Sequence, residues 1–277
     1  MMRVRPPAVA GSFYPGAETD LRDLVDAMLR AARPQAPVPK AVIVPHAGYV
    51  YSGPTAAAGY ACLAPAASVI RHVVIVGPCH HVGLRGIALP DADALATPLG
   101  DVPVWRDGAA VALEQPGVVV SAAVHEREHS LEVQLPFVQR LLPDADVLPL
   151  AAGWVAPEQV GAVLDAVWGG SETAVVVSSD LSHYHPYADA KAIDERTVAD
   201  ILALAWPIDS ERACGASGVN GLLAAARAHG LAPRLISACN SGDTAGDKRR
   251  VVGYASVAFD EDPSHARTGQ GADDVAR

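Results

Sequence analysis

Short apolar, β-branched runs alternate along the chain with longer stretches of helical periodicity. Runs at 41–44, 73–76, 86–89, 146–151, 173–177, 234–238 and 251–259 read as strands, and 101–105 as a short edge strand. Between them lie helical patterns. Leu21, Leu24, Val25, Met28 and Leu29 make one apolar face of a helix over 20–32. After a turn at 49–54, small residues predict a helix over 55–63 packed closely on a sheet. Residues 106–114 read as helical. Ser130 is placed to N-cap a face built from Leu131, Leu135, Val138, Leu141 and Leu142, with Pro136 bending that helix or sitting in its first turns. Further helices are expected over 157–168, 187–205 and 217–229. The alternation predicts an α/β fold, a single domain over 1–259 with a mixed β-sheet flanked by helices. From Asp260 the sequence is polar and aperiodic, which predicts a disordered tail over 260–277.

Composition narrows the class. In 277 residues half are hydrophobic, 19% are charged and the formal net charge is -10. That fits a globular protein and argues against a general affinity for nucleic acid or an anionic membrane. Residues 41–70 carry no charge, yet three prolines, several glycines, His46 and three tyrosines interrupt them, so they read as strand, loop and helix rather than a membrane span. Residues 1–16 have charges and no continuous apolar segment, so no secretory signal is expected. Cys62, Cys79, Cys214 and Cys239 form no CxxC pair. Reduced thiols in a cytoplasmic protein are the expectation, with Cys62 and Cys214 as small buried hydrophobes.

The chemistry gathers where strands end. The run HVVIVGPCHHVG closes a buried strand with Gly77 and Pro78 and then delivers His80 and His81. The strand before it leads to His46. The run at 173–177 leads to Asp180 and His183, and 234–238 to Cys239, Ser241 and Asp243. In open α/β sheets ligands bind at the carboxyl edge. Imidazoles with a carboxylate or thiolate suit iron, copper or zinc, and two histidines plus one further ligand leave positions open for substrate or oxygen. Asp180 and His183 can act as an acid/base pair or support a ligand. His129, in the polar cluster HEREH, begins a helix and can reach the same cleft. No GxGxxG, P-loop or GxSxG occurs, so neither a nucleotide cofactor nor a triad hydrolase is indicated.

Seven segments, VAGSFYPG, VPHAGYVYSG, VGPCHHVG, HSLEVQLPF, SSDLSHY, CGASGVNGLL and NSGDTAGDKRRVVGYASVAF, follow one another as in the Memo family, which includes AmmeMemoRadiSam system protein B. The resemblance runs from about Ala8 to Phe259. It implies a LigB-like fold, similar to class III extradiol dioxygenases, and a metal-capable pocket for iron(II) or copper. It makes His46 and His80 metal ligands and places Asp180 and His183 in the same pocket, with His81 as pocket wall or hydrogen-bond partner. Ser241 falls where eukaryotic members carry a cysteine, with Cys239 two residues earlier. Neutral serine is a weak ligand, and Asp243 is the alternative third one. The activity so implied is a dioxygenase-like oxidoreductase on a small organic substrate. A non-catalytic binding or adaptor protein, working with AMMECR1-type and radical-SAM partners, is the alternative, and a metal-dependent hydrolase a weaker one.

Overall fold

The strand runs pair because their side chains alternate between two apolar layers. In a computed structural model, which describes residues 2–261, the elements follow in the order β1 (Val4–Arg5), α1 (Glu18–Ala31), β2 (Ala41–Val44), α2 (Tyr49–Ala61), β3 (His72–Pro78), β4 (Ile87–Leu89), β5 (Ala94–Thr97), β6 (Gly100–Pro103), α3 (Arg106–Leu113), β7 (Val118–Val120), α4 (Ala122–Glu126), α5 (Leu135–Leu141), β8 (Asp146–Ala152), α6 (Pro157–Ala166), β9 (Thr173–Ser178), β10 (His183–His185), α7 (Tyr187–Leu202), α8 (Ala216–Ala228), β11 (Leu231–Asn240) and β12 (Val251–Glu261). The main sheet has nine strands in the order β10-β12-β2-β9-β3-β8-β4-β7, with β11 on the outer side of β12. Strands β2, β9, β3 and β8 are parallel, β12 and β4 run against them, and the sheet is mixed. Val73 and Ile75 face one core and Val74 and Val76 the other, and β2 and β9 alternate likewise. Strands buried on both faces read as continuous apolar runs, which is why the sequence exposes them.

Helices α1, α2 and α5 pack together, as α6 does with α8, and α7 covers β11 and β12. The result is a mixed α/β domain with its sheet flanked by helices. Gly53 shows how tight the helical layer is: a Cβ there would lie 2.6 Å from the Met28 sulfur of α1. No helix among the described residues is long and apolar enough to cross a membrane.

Several local expectations need correction. The turn at 49–54 is the first part of α2. Tyr51 and Ser52 donate to the Gly48 carbonyl, and Pro54 lies inside the helix, where it has no N–H to give the Val50 carbonyl. Ser130 caps nothing: it is buried, its hydroxyl donates to the Pro78 carbonyl, and the helix divides into a 3-10 turn (Glu132–Gln134) and α5, with Pro136 in the first turn. The edge strand at 101–105 belongs, as β6, to a separate three-stranded sheet with β1 and β5. Strand β12 continues through Asp260 and Glu261, where a tail was expected; the remainder of that tail, 262–277, lies outside the described residues.

The N-terminal segment is tied down by one buried carboxylate. Glu132, fully buried, pairs with the Arg5 guanidinium and accepts from the Ala8 N–H (2.7 Å), the Val9 N–H (3.0 Å) and the Tyr14 hydroxyl (2.5 Å). Arg5 also donates to the carbonyls of His125 and Glu128. Removing one partner of such a pair leaves the other charge buried and uncompensated, at a cost of about 3 kcal/mol. Urea denaturation of Glu132→Gln should therefore show a stability loss of that order with an unchanged m-value. A loss within experimental error of zero would show that the network carries no net stability.

Candidate metal centre

The sheet topology explains why the strand-end residues meet. Parallel β2, β9 and β3 are neighbours, so the loops after Val44, Ser178 and Pro78 emerge side by side. Strand β12 is antiparallel to β2, and β11 antiparallel to β12, so the end of β11 and the start of β12 reach the same edge. There a cavity of 990 Å³ is lined by His46, His80, Asp180, His183 and Ser241, and also by His129, Cys214, Tyr254 and Arg250.

Three imidazoles form the group able to hold a metal ion. One ring nitrogen each from His46, His80 and His129 lie within 4.8 Å of one another. The His80 and His129 rings stack at 4.5 Å, and His46 meets each of them edge-on, at 5.3 and 5.5 Å. His129 arrives from the segment between α4 and the 3-10 turn, not from a strand end. Glu128 stitches that segment to β3: its carboxylate accepts from the His80 N–H (2.6 Å), His80 Nδ1 (2.8 Å) and the Ser130 N–H (2.9 Å). Phe13 also packs on His129, with ring centroids 4.7 Å apart and the rings tilted by 48°.

The hydrogen bonds fix which nitrogens are free. Gln134 Nε2 donates to the Pro45 carbonyl (3.0 Å) and to Ser178 Oγ (2.9 Å), and Ser178 Oγ donates its own proton to the Ser130 carbonyl (2.6 Å). Ser178 can then only accept from His46 Nδ1 at 2.9 Å. His46 therefore carries its proton on Nδ1 and a bare lone pair on Nε2. The carboxylate of Glu128 imposes the same tautomer on His80. This arrangement, a ring N–H committed to a carboxylate or hydroxyl behind it, is the one that orients metal-ligating histidines.

Electrostatics agree. Burial, reinforced by the neighbouring imidazoles, holds His46 well below the ordinary histidine range and His129 at about 4, so both are in the neutral, ligating form at pH 7. Burial disfavours the charge of Glu128, but the bond to His80, the charge it would carry and the backbone N–H groups outweigh it, and the carboxyl ionises well below its usual range.

The sequence predicts Cys214 as a small buried hydrophobe. Instead its sulfur is 3.2 Å from His46 Nε2 and 3.7 Å from the Asp180 carbonyl, two acceptors for its single S–H proton. Burial and the nearby Asp180 raise this thiol well above the usual range. Its proximity to His46 follows from the tertiary fold alone: residue 214 precedes α8, far from any strand end. Asp180 is buried and accepts from the His46 N–H (2.8 Å); burial, opposed by the N–H groups of His46 and Ala47, lifts it to about 7. Asp180 makes no bond to His183, whose Nδ1 donates to the Leu181 carbonyl at 2.9 Å. Asp243 is not drawn into the cavity. It accepts from the Tyr187 hydroxyl (2.6 Å) and the Asn240 N–H (3.1 Å), and with Cys239 it lines a separate 500 Å³ cavity between α7 and β11. Cys239 is 3.2 Å from the Thr55 hydroxyl. His81 is exposed and lines a smaller cavity on the far side of His80.

A profile of the family described as Memo-like protein matches residues 5–258. The chain belongs to the Memo family. It is 35% identical to a MEMO1 family protein of Aquifex aeolicus, the match covering 93% of this chain and all of that one. A MEMO1 family protein of Aeropyrum pernix is 34% identical, over 92% of this chain and 99% of its own. One of Sulfolobus acidocaldarius is 33% identical with the same coverage.

Two measurements check the geometry of this Memo-family site. Ser178→Ala removes the acceptor that holds the His46 tautomer, so zinc or cobalt(II) titration should show affinity about tenfold lower; unchanged affinity would mean the tautomer is set elsewhere. The second is a pH profile. Between pH 6.5 and about 4 the unfolded chain binds protons on His46, His125 and His129 that the folded chain refuses. Stability therefore falls as pH drops through that window. Asp180 and Asp194 act oppositely, since their folded carboxyls take a proton first, but His183, also held below the ordinary range by burial, joins the three histidines, so two groups stand against four. The melting temperature should fall from pH 7 to 5, and less steeply in His129→Asn; equal slopes would contradict the assignment.

Proposed function

We propose that this Memo-family protein is a metal-dependent oxidoreductase with dioxygenase-like chemistry on a small organic substrate, built on a LigB-like fold. The observation that carries the reading is the set of three convergent imidazoles, two of them with Nδ1 committed to groups behind the ring. Iron(II) or copper held by His46, His80 and His129 would supply Lewis acidity and one-electron chemistry to a bound substrate.

The chain's own residues do the rest. His183, with Nδ1–H fixed on Leu181, has its lone pair on Nε2, and burial keeps it neutral below the ordinary histidine range. It is the base that takes a proton from a substrate hydroxyl. Asp180 holds the backbone of His46 and so keeps that ring in place. Phe13, Tyr51 and Tyr254 give the cavity apolar walls against which an organic substrate displaces water. Ser241, also in the cavity, keeps its hydroxyl engaged by the Val252 N–H at 3.1 Å. A neutral serine where a thiolate was expected favours a second reading, a binding or adaptor protein that retains the pocket without its chemistry. On either reading AMMECR1-type and radical-SAM proteins are its partners, which co-purification tests.

Anaerobic purification followed by metal analysis separates the two. Iron or copper should be present or loadable, and a His46→Ala/His80→Ala double variant should lose it together with oxygen-dependent turnover. If neither metal binds with His46-dependent affinity, the enzyme reading fails. Unchanged complementation by the double variant would establish the adaptor. Product formed at full rate without oxygen would point instead to hydrolysis.

A further inference from the structure

One backbone distortion at the cavity mouth has no part in the metal centre. Strand β10 pairs with the start of β12, His183 opposite Val252 and His185 opposite Val251, and the register slips between them. The residue squeezed out is Tyr184. Its φ is +63°, in the left-handed region that favours glycine, and the residue is 63% exposed. Bulges of this kind re-aim a side chain, and strained residues persist where the surroundings hold them. Here the ring lies under the guanidinium of Arg250, 5.0 Å from its centroid, and both residues line the cavity.

The stack matters for what it leaves free. An arginine lying on an aromatic face keeps its N–H donors in the plane of the guanidinium, pointing outward as a fork. Among the described residues no carboxylate pairs with Arg250 and no acceptor takes its side-chain donors. The neighbouring Arg249 is spent on Asp247, to which it donates at 2.7 Å. Arg250 is thus an oriented cation with unspent donors at the entrance to a cavity whose deeper imidazoles His46 and His129 are neutral.

We infer that the Arg250–Tyr184 stack is an oxyanion clamp, and that the substrate of this cavity is a small organic anion: a carboxylate or phosphate seated on Arg250, with an apolar body running inward past Phe13 and Tyr51. This rests on the reading of the cavity as a substrate site, but it needs no metal to test. Metal-free protein is titrated calorimetrically with benzoate, phenyl phosphate and the uncharged benzamide. At least one of the two anions should bind about tenfold more tightly than benzamide, and which one does tells carboxylate from phosphate. Arg250→Gln, a change at an exposed residue, should abolish that preference. Tyr184→Gly should weaken anion binding while raising the melting temperature, because glycine relieves the strained φ. The preference should persist in His46→Ala, so failure of the metal centre and failure of the clamp are read apart. Binding of benzamide equal to both anions, no binding of either anion, an anion preference that survives Arg250→Gln, or unchanged binding by Tyr184→Gly would overturn the proposal.

Discussion

The site depends on one buried carboxylate. Glu128 is almost wholly excluded from solvent, and an ionised carboxylate in that position is stable only if every neighbour donates to it. His80 donates twice, from backbone and ring, and Ser130 donates once. Meeting that demand bends the chain after β3 toward the segment that follows α4. It fixes the His80 tautomer and places His129, the next residue in sequence, against the His80 ring. One charge requirement thus sets two of three candidate ligands.

The third candidate ligand is set by a neutral chain of bonds with the same logic. The amide of Gln134 cannot flip without losing the Pro45 carbonyl, Ser178 has one proton and gives it to Ser130, and His46 is left only the role of donor. Gln134 and Ser130 belong to the same segment as Glu128 and His129. The stretch 128–134 is therefore a scaffold for the whole centre, and the N-terminal residues brace it from outside through Glu132. Such networks are costly if half satisfied, so each bond constrains the next. The Cys214 sulfur lies 3.2 Å from the one His46 nitrogen left for a metal.

Much of this was legible from the residues. The doubly buried strands announced themselves as apolar runs, and the motifs at their ends gave His46, His80, Asp180 and His183, because the carboxyl edge of a parallel sheet is where such loops must emerge. Ser241 arrived there too, since two antiparallel reversals return β11 to the direction of β2. The rest was hidden for physical reasons. Asp243 has a carboxylate suited to a ligand, but a tyrosine hydroxyl and a backbone N–H had already claimed it. His129 was legible as a residue within reach of the cleft but not as a candidate ligand, since nothing local reveals that Glu128 reaches across to β3. Cys214 looked like any small core residue.

Sequence by itself determined the α/β class, the order of most strands and helices, the Memo kinship and the residue types available for a metal. These follow from periodicity and from chemistry that each side chain carries wherever it lies. Tertiary structure alone decided which imidazoles converge, which nitrogen of His46 and of His80 is free, that a thiol touches His46, and that a bulge turns Tyr184 under Arg250. Each of those depends on contacts between segments distant along the chain, on burial that shifts the charge of a group, and on competition for a limited number of hydrogen bonds. None of the three is a property of a residue's neighbours in sequence.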